Sequence, residues 1–154
     1  MMDDIDHIMR IMDASFDPAW GEAWNRRQVT DSLSMSHTHY RLVDSGGEAY
    51  VSGNVEANPA GFFLVRAAPG EEELLLVAVC PDQRGQGLGA ALLELFASDA
   101  KNRGAQRIFL EMRENNPAIS VYRRAGFEAI GRRPNYYRCA GGRFIDAVTF
   151  ARQL

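Results

Sequence analysis

An unbroken apolar run, Leu74-Leu75-Leu76-Val77-Ala78-Val79, stops at Cys80-Pro81. Its length and its proline stop predict a strand buried on both faces. The next residues, Asp82-Gln83-Arg84-Gly85-Gln86-Gly87-Leu88-Gly89, form a glycine-rich loop. Ala90, Ala91, Leu92, Leu93, Leu95 and Phe96 then read as a helix with a strong apolar face. Strand, glycine loop and helix in one stretch aim unpaired backbone N–H groups at the loop. The first turn of a helix has no internal partners for its N–H groups, and the helix dipole is positive there. Such a loop is built to meet a phosphate, and glycine lets the phosphate approach the backbone closely.

Two common phosphate loops are excluded. The dinucleotide pattern G-x-G-x-x-G fails because Ala90, Ala91 and Leu92 follow Gly89. The phosphate-loop pattern fails because the loop carries no Gly-Lys-Ser/Thr. The order Arg84-Gly85-Gln86-Gly87-Leu88-Gly89 does fit Q/R-x-x-G-x-G/A after an apolar strand ending in x-Pro. It resembles the pyrophosphate loop of the GNAT acyltransferase superfamily.

A second constellation lies downstream. Glu111 sits in Leu110-Glu111-Met112-Arg113, at the end of an apolar strand. Asn115 stands at a predicted helix start, and Tyr122 follows seven residues later, on the same face after two turns. Tyr122-Arg123-Arg124-Ala125-Gly126-Phe127 reads as a helix end with a glycine stop. In this order after the glycine loop, the three features resemble the second cofactor-binding half of a GNAT domain. The tail, Gly131-Arg132-Arg133-Pro134-Asn135-Tyr136-Tyr137, resembles the Arg-x-x-Tyr-Tyr segment of the ribosomal-protein alanine N-acetyltransferases. Two departures stand out. Pro18-Ala19-Trp20-Gly21 replaces that family's Pro-Trp-Ser, and the stretch from Glu111 to Asn115 is one residue short.

The remaining elements follow from pattern. Ile5, Ile8, Met9, Ile11 and Met12 share one face of a first helix over 3–15, with Asp3 and Asp4 at its dipole-favoured start. A break at 16–20 precedes a second helix over 22–35, with Trp24, Val29 and Leu33 inward. Thr38–Val43 reads as a strand, and 61–67 pairs through a turn with the central strand as an antiparallel hairpin. Residues 48–59 read as irregular. The central strand and a strand over 107–112 are joined through a helix, which predicts parallel neighbours. A short helix spans 118–125, a strand 128–133, a loop 134–142, and a last strand 144–152. The phenyl and indole rings of Phe16, Trp20 and Trp24 suit either core or acceptor wall.

Composition limits the function classes. The length of 154 residues suits one domain, 1–154, with a real core. The net charge of −3 offers no footprint for nucleic acid. No apolar run nears the ~20 residues that span a bilayer, and the N-terminus lacks the basic start and apolar centre of a secretory signal. Cys80 and Cys139 make neither a metal set nor a disulfide framework, so a reduced, cytoplasmic setting is expected. His37 and His39 could be written as a metal pair, but nothing of ligand type stands with them.

The resemblance implies a mixed α/β GNAT fold. It has about six to seven mostly antiparallel strands, a central parallel splayed pair, and about four helices. It implies acetyl-CoA as cosubstrate. Val77, Ala78 and Val79 would offer backbone groups to the pantetheine arm and the thioester oxygen. Gly85, Gln86, Gly87, Leu88, Gly89 and Ala90 would hold the pyrophosphate. Arg84 would stand beside it as a charge or as loop scaffold, and Asn115 would contact the arm. Glu111 is the implied general base and Tyr122 the acid for the departing thiolate, with Glu73 the rival base. The implied acceptor is a protein N-terminal α-amine, as in a small-subunit ribosomal protein; a small-molecule amine, or acyl-CoA binding without turnover, are the alternatives. Arg132, Arg133, Tyr136 and Tyr137 are either acceptor-side groups or a solvated hairpin tip.

Overall fold

A computed structural model describes residues 3–16, 22–50 and 58–154. Helices α1 (Asp4–Ser15) and α2 (Arg26–Leu33) precede strands β1 (Thr38–Val43), β2 (Gly61–Ala68) and β3 (Glu71–Val79). Helix α3 (Leu88–Asn102), strand β4 (Arg107–Arg113), helix α4 (Ile119–Arg124), and strands β5 (Glu128–Arg138) and β6 (Phe144–Gln153) follow. The strands form one six-stranded sheet in the order β1-β2-β3-β4-β6-β5. Only β3 and β4 run parallel, joined by the α3 crossover.

The first two helices begin where the sequence supplies a cap. Asp3 and Asp6 form a reciprocal capping box at α1, and Asn25 and Gln28 form one at α2. The second box explains why α2 starts at Arg26 rather than at 22. Asn25 takes the cap, its Oδ1 accepting from Gln28 N–H at 2.9 Å, so Glu22 and Trp24 lie ahead of the helix.

The sheet carries a core on each face. Phe63, Leu74, Leu92, Phe96, Ile108, Leu110 and Tyr122 pack under α3 and α4. Ile8, Ile11, Met12, Val29, Phe62, Leu64 and Leu76 pack under α1 and α2. The apolar run in β3 feeds both cores because of a bulge. Leu64 faces Leu76 while Val65 faces Leu74, which leaves Leu75 without an opposite residue. Past Leu75 the alternation is re-phased. Leu74 serves the α3 core; Leu76 and Ala78 serve the α1 core. The strand is therefore half-buried at Leu75, Val77 and Val79 rather than buried on both faces throughout.

Strand β5 runs five residues beyond the expected end, through the segment read as a loop. Arg133 faces Ala147 and Tyr137 faces Ile145, so Pro134, Asn135 and Tyr136 bulge opposite Asp146 alone. Asn135 adopts φ 54°, and its N–H donates to Asp146 Oδ1 at 2.9 Å. Proline is tolerated there because β5 is an edge strand.

Two bidentate ion pairs tie α3 to the sheet. Arg103 donates to both oxygens of Glu72 at 2.9 and 2.7 Å, and Arg41 to both of Asp99 at 2.8 and 3.0 Å. The Glu72 side chain is only 2% exposed. Removing its partner strands a buried charge. We expect Arg103→Met to cost about 3–5 kcal/mol, and Glu72→Leu with Arg103→Met together to cost much less, in urea unfolding.

Candidate active site

The site begins where two parallel strands part. β3 and β4 pair only at Glu71–Arg107, Glu72–Ile108 and Glu73–Phe109. Beyond Glu73, β3 continues to Val79 against β2 alone, and β4 continues to Arg113 against β6 alone. Between them the facing backbone groups have no ladder. Val77, Ala78 and Val79 lie on the β3 side of this opening, and Glu111 lies on the β4 side.

The glycine loop closes the wide end. Gly85 and Gly87 sit at φ 78° and 80°, and a Cβ on either would meet no atom within 4 Å. Their requirement is conformational: side-chain residues rarely adopt that backbone. Gly87 is the N-cap of α3, and no side chain caps that helix. Its first internal bond runs from Ala91 N–H to Gly87 O, so the N–H groups of Leu88, Gly89 and Ala90 face outward from the helix end. Arg84 acts here as scaffold. Its Nη2 donates to Ser15 O at 2.9 Å. The Ser15 hydroxyl in turn lies 3.0 Å from Val79 O, so the end of α1 ties the loop to the end of β3.

The remaining predicted residues divide between the two faces of the sheet. Glu111 is on the α1–α2 face of β4, in register with Thr149 and, across β6, Gly131. Its Oε2 lies 3.4 Å from Arg133 Nε. Tyr122 is on the α3–α4 side, 7% exposed, with its ring edge-on to Phe127 at 5.9 Å. Glu73 is at the closed end and pairs with Arg66 across the β2–β3 hairpin. Asn115 does not cap α4 and does not share a helical face with Tyr122. Asn116 Oδ1 accepts from Ala118 N–H at 2.8 Å in a turn ahead of the helix, and α4 begins only at Ile119, with no side-chain cap. Asn115 instead accepts from Arg113 Nη1 at 2.9 Å. Phe16 and Trp24 pack partly buried on the α1–α2 core; Trp20 lies outside the described residues.

Two site residues escaped the sequence reading. Glu22, ahead of α2, accepts from Arg113 Nε at 3.0 Å, and the Arg113 side chain is 10% exposed. This pair joins the α1–α2 connection to the end of β4. Arg113 is two residues after Glu111 on one strand face, and that spacing was its only sequence signal. The Tyr122 phenol is pushed up to about 12, first by burial and second by the Glu22 carboxylate. Tyr137 is also raised, by burial and then by Glu111. Among the described residues no group of three His, Cys, Asp or Glu could hold a metal, and no helix is long and apolar enough to cross a membrane.

The comparisons decide the family. The sequence profile of the acetyltransferase (GNAT) family matches residues 5–127. This chain belongs to the GNAT acetyltransferases. A [ribosomal protein bS18]-alanine N-acetyltransferase of Escherichia coli K12 is 37% identical over 113 residues, covering 71% of this chain and 76% of that protein. The N-alpha-acetyltransferase RimI of Mycobacterium tuberculosis is 34% identical over 132 residues, covering 85% and 76%. The crystal structure of the Escherichia coli ribosomal-protein-S18-alanine N-acetyltransferase superposes with a TM-score of 0.76 at 26% identity, covering 97% of this chain and 87% of that one. The mixed sheet with its parted parallel pair and four flanking helices is the expected GNAT architecture.

The acid–base state of Tyr122 is open to measurement. A tyrosine normally titrates near 10. A folded-state value raised to about 12 leaves its contribution to stability whole below about pH 10 and removes it as pH climbs through 12. Tyr40, which donates to Asp4, is raised to about 12 as well. In a spectrophotometric titration, Tyr122→Phe should remove one late-ionising tyrosine and soften alkaline destabilisation between about pH 10 and 12.

Proposed function

We propose that this GNAT acetyltransferase uses acetyl-CoA to acetylate the α-amine of a protein N-terminus, by direct attack while both substrates are bound. The leading acceptor is the N-terminal alanine of a ribosomal protein of the bS18 type, and the setting is the cytoplasm. The parting of β3 from β4 carries this reading. Glu111 and Tyr122 lie on opposite faces of the sheet, and both can reach one thioester only through the opening between those strands.

Each group has one task. The outward N–H groups from Gly85 to Ala90 hold the diphosphate. The free edge at Val77, Ala78 and Val79 lines the pantetheine arm, and one of its N–H groups stabilises the oxyanion. Asn115 borders the arm from the opposite side. Glu111 takes the proton of the incoming amine, directly or through water; an α-amine with a pKa of ~7.7–8.0 needs only a modest base. Tyr122 is protonated throughout the neutral range and gives its proton to the departing thiolate. Glu73 is disfavoured as base because it is paired with Arg66 at the closed end of the strands. Bound acetyl-CoA supplies the activated acetyl group.

Mass spectrometry of a bS18-type N-terminal peptide incubated with acetyl-CoA tests the reaction. A single acetyl mass shift on the free peptide, absent from the N-terminally blocked one, is the expected result. Transfer to small amines alone, or binding without transfer, would overturn it. Tyr122→Phe should lower turnover on the order of 10²-fold with little change in acetyl-CoA affinity. Glu111→Gln should lower it more than Glu73→Gln does.

A further inference from the structure

Glu111, the base in the reading above, already has a cation on it. Its carboxylate is 22% exposed, and its contact is Arg133 Nε at 3.4 Å. The Arg133 side chain is 65% exposed and its guanidinium lies 5.4 Å from the centre of the Tyr136 ring. The register explains the reach. Arg113, Ala147 and Arg133 share one rung of the sheet; Glu111, Thr149 and Gly131 share the rung two residues away, which presents the same face. Gly131 has no side chain to stand between them, and Arg133 reaches diagonally to Glu111. The bulge at Pro134–Tyr136 brings Tyr136 beneath the guanidinium.

This contact differs in kind from the ion pairs that hold the fold. Arg103 grips a buried Glu72 with two bonds, and Arg113 is a nearly buried cation bound to both Glu22 and Asn115. Arg133 makes one long contact from an exposed side chain. Contacts of that sort change an equilibrium by at most a factor of about five. The other titratable groups near Glu111 are Arg113 beside it on β4, with its partner Glu22, and the Tyr137 phenol, which feels the Glu111 charge.

We propose that Arg133 selects the acceptor by holding, on Glu111, the place that the amine's own positive charge takes on binding. An acceptor arriving as an ammonium exchanges with Arg133 one cation for another, and the half-buried carboxylate is never left without a counter-charge. A neutral nucleophile has no such exchange to offer. Once the ammonium is seated, its proton passes to Glu111, giving a neutral amine and a carboxylic acid. The amine nitrogen forms the new C–N bond, the C–S bond breaks, and the thiolate takes a proton from Tyr122, whose phenolate regains one through water from the proton the nitrogen sheds as it becomes the amide. The amide product carries no charge for Glu111. When Glu111 returns its proton to solvent, Arg133 reoccupies the carboxylate and displaces the product.

The sign of the effect separates this from a role in holding the acceptor. With a free alanine-terminated peptide, Arg133→Gln should lower the acceptor KM by about 2- to 5-fold, with the gain shrinking as salt rises and the acetyl-CoA KM unmoved. An acceptor KM that is unchanged or raised would overturn the proposal. A binding readout works without turnover. On adding L-alaninamide, the Arg133 Nε resonance should move toward its position in the Glu111→Gln variant, while N-acetyl-alaninamide leaves it still. No movement with L-alaninamide refutes the exchange. Movement in an enzyme that acetylates no peptide upholds the exchange and refutes the proposed acceptor.

Discussion

Three residue pairs hold β3 and β4 together, and beyond Glu73 and Phe109 the two strands owe their backbone hydrogen bonds to other neighbours. An unpaired strand edge inside a protein is costly unless something polar meets it. Here the opening is propped from both sides. β2 holds β3 in line as far as Val79, and β6 holds β4 as far as Arg113. The bulge at Leu75 lets β3 serve a core on each face while it diverges. An extended arm with its own amides is the ligand that such an opening fits, and the glycine loop at the wide end supplies the N–H groups for its charged head.

The opening also explains how the chemistry is split. A carboxylate from β4 and a phenol from α4 lie on opposite sides of the sheet, in surroundings that suit opposite proton tasks. Glu111 is partly open and sits among cations. Tyr122 is buried beside Phe127 with the negative charge of Glu22 nearby, and both influences keep its proton on. The group proposed as the acid is thus held protonated by its surroundings. The Glu22–Arg113 pair adds a mechanical link: the chain just ahead of α2 is fastened to β4, the strand of the proposed base.

Around this site the fold spends its rigid ion pairs away from the chemistry. Glu72–Arg103 and Asp99–Arg41 clamp α3 at the closed end and flank of the sheet. The loop at the open end is held instead by one guanidinium on the Ser15 carbonyl. Helix α3 is thereby fixed at its C-terminal end while its first turn stays uncapped.

Much of this was readable in the chain itself. The run 74–79 with its proline stop, the glycines at 85 and 87, and the periodicity of α1 and α3 follow from local sterics and from which side chains avoid water. That Glu111 lies near a strand end and Tyr122 ahead of a glycine stop was legible in their spacing. Element boundaries were less so where a side chain chose between neighbours: Asn25 shortened α2, and Asn116 closed a turn that delays α4 to Ile119. β5 was misjudged because Pro134 and Asn135 read locally as a turn, whereas an edge strand can absorb both in a bulge held by Asp146. Glu22 meeting Arg113, Arg133 leaning onto Glu111, and the re-phasing at Leu75 were decided only by tertiary structure. Each depends on which strand lies beside which, and local propensity does not carry that information across 91 residues.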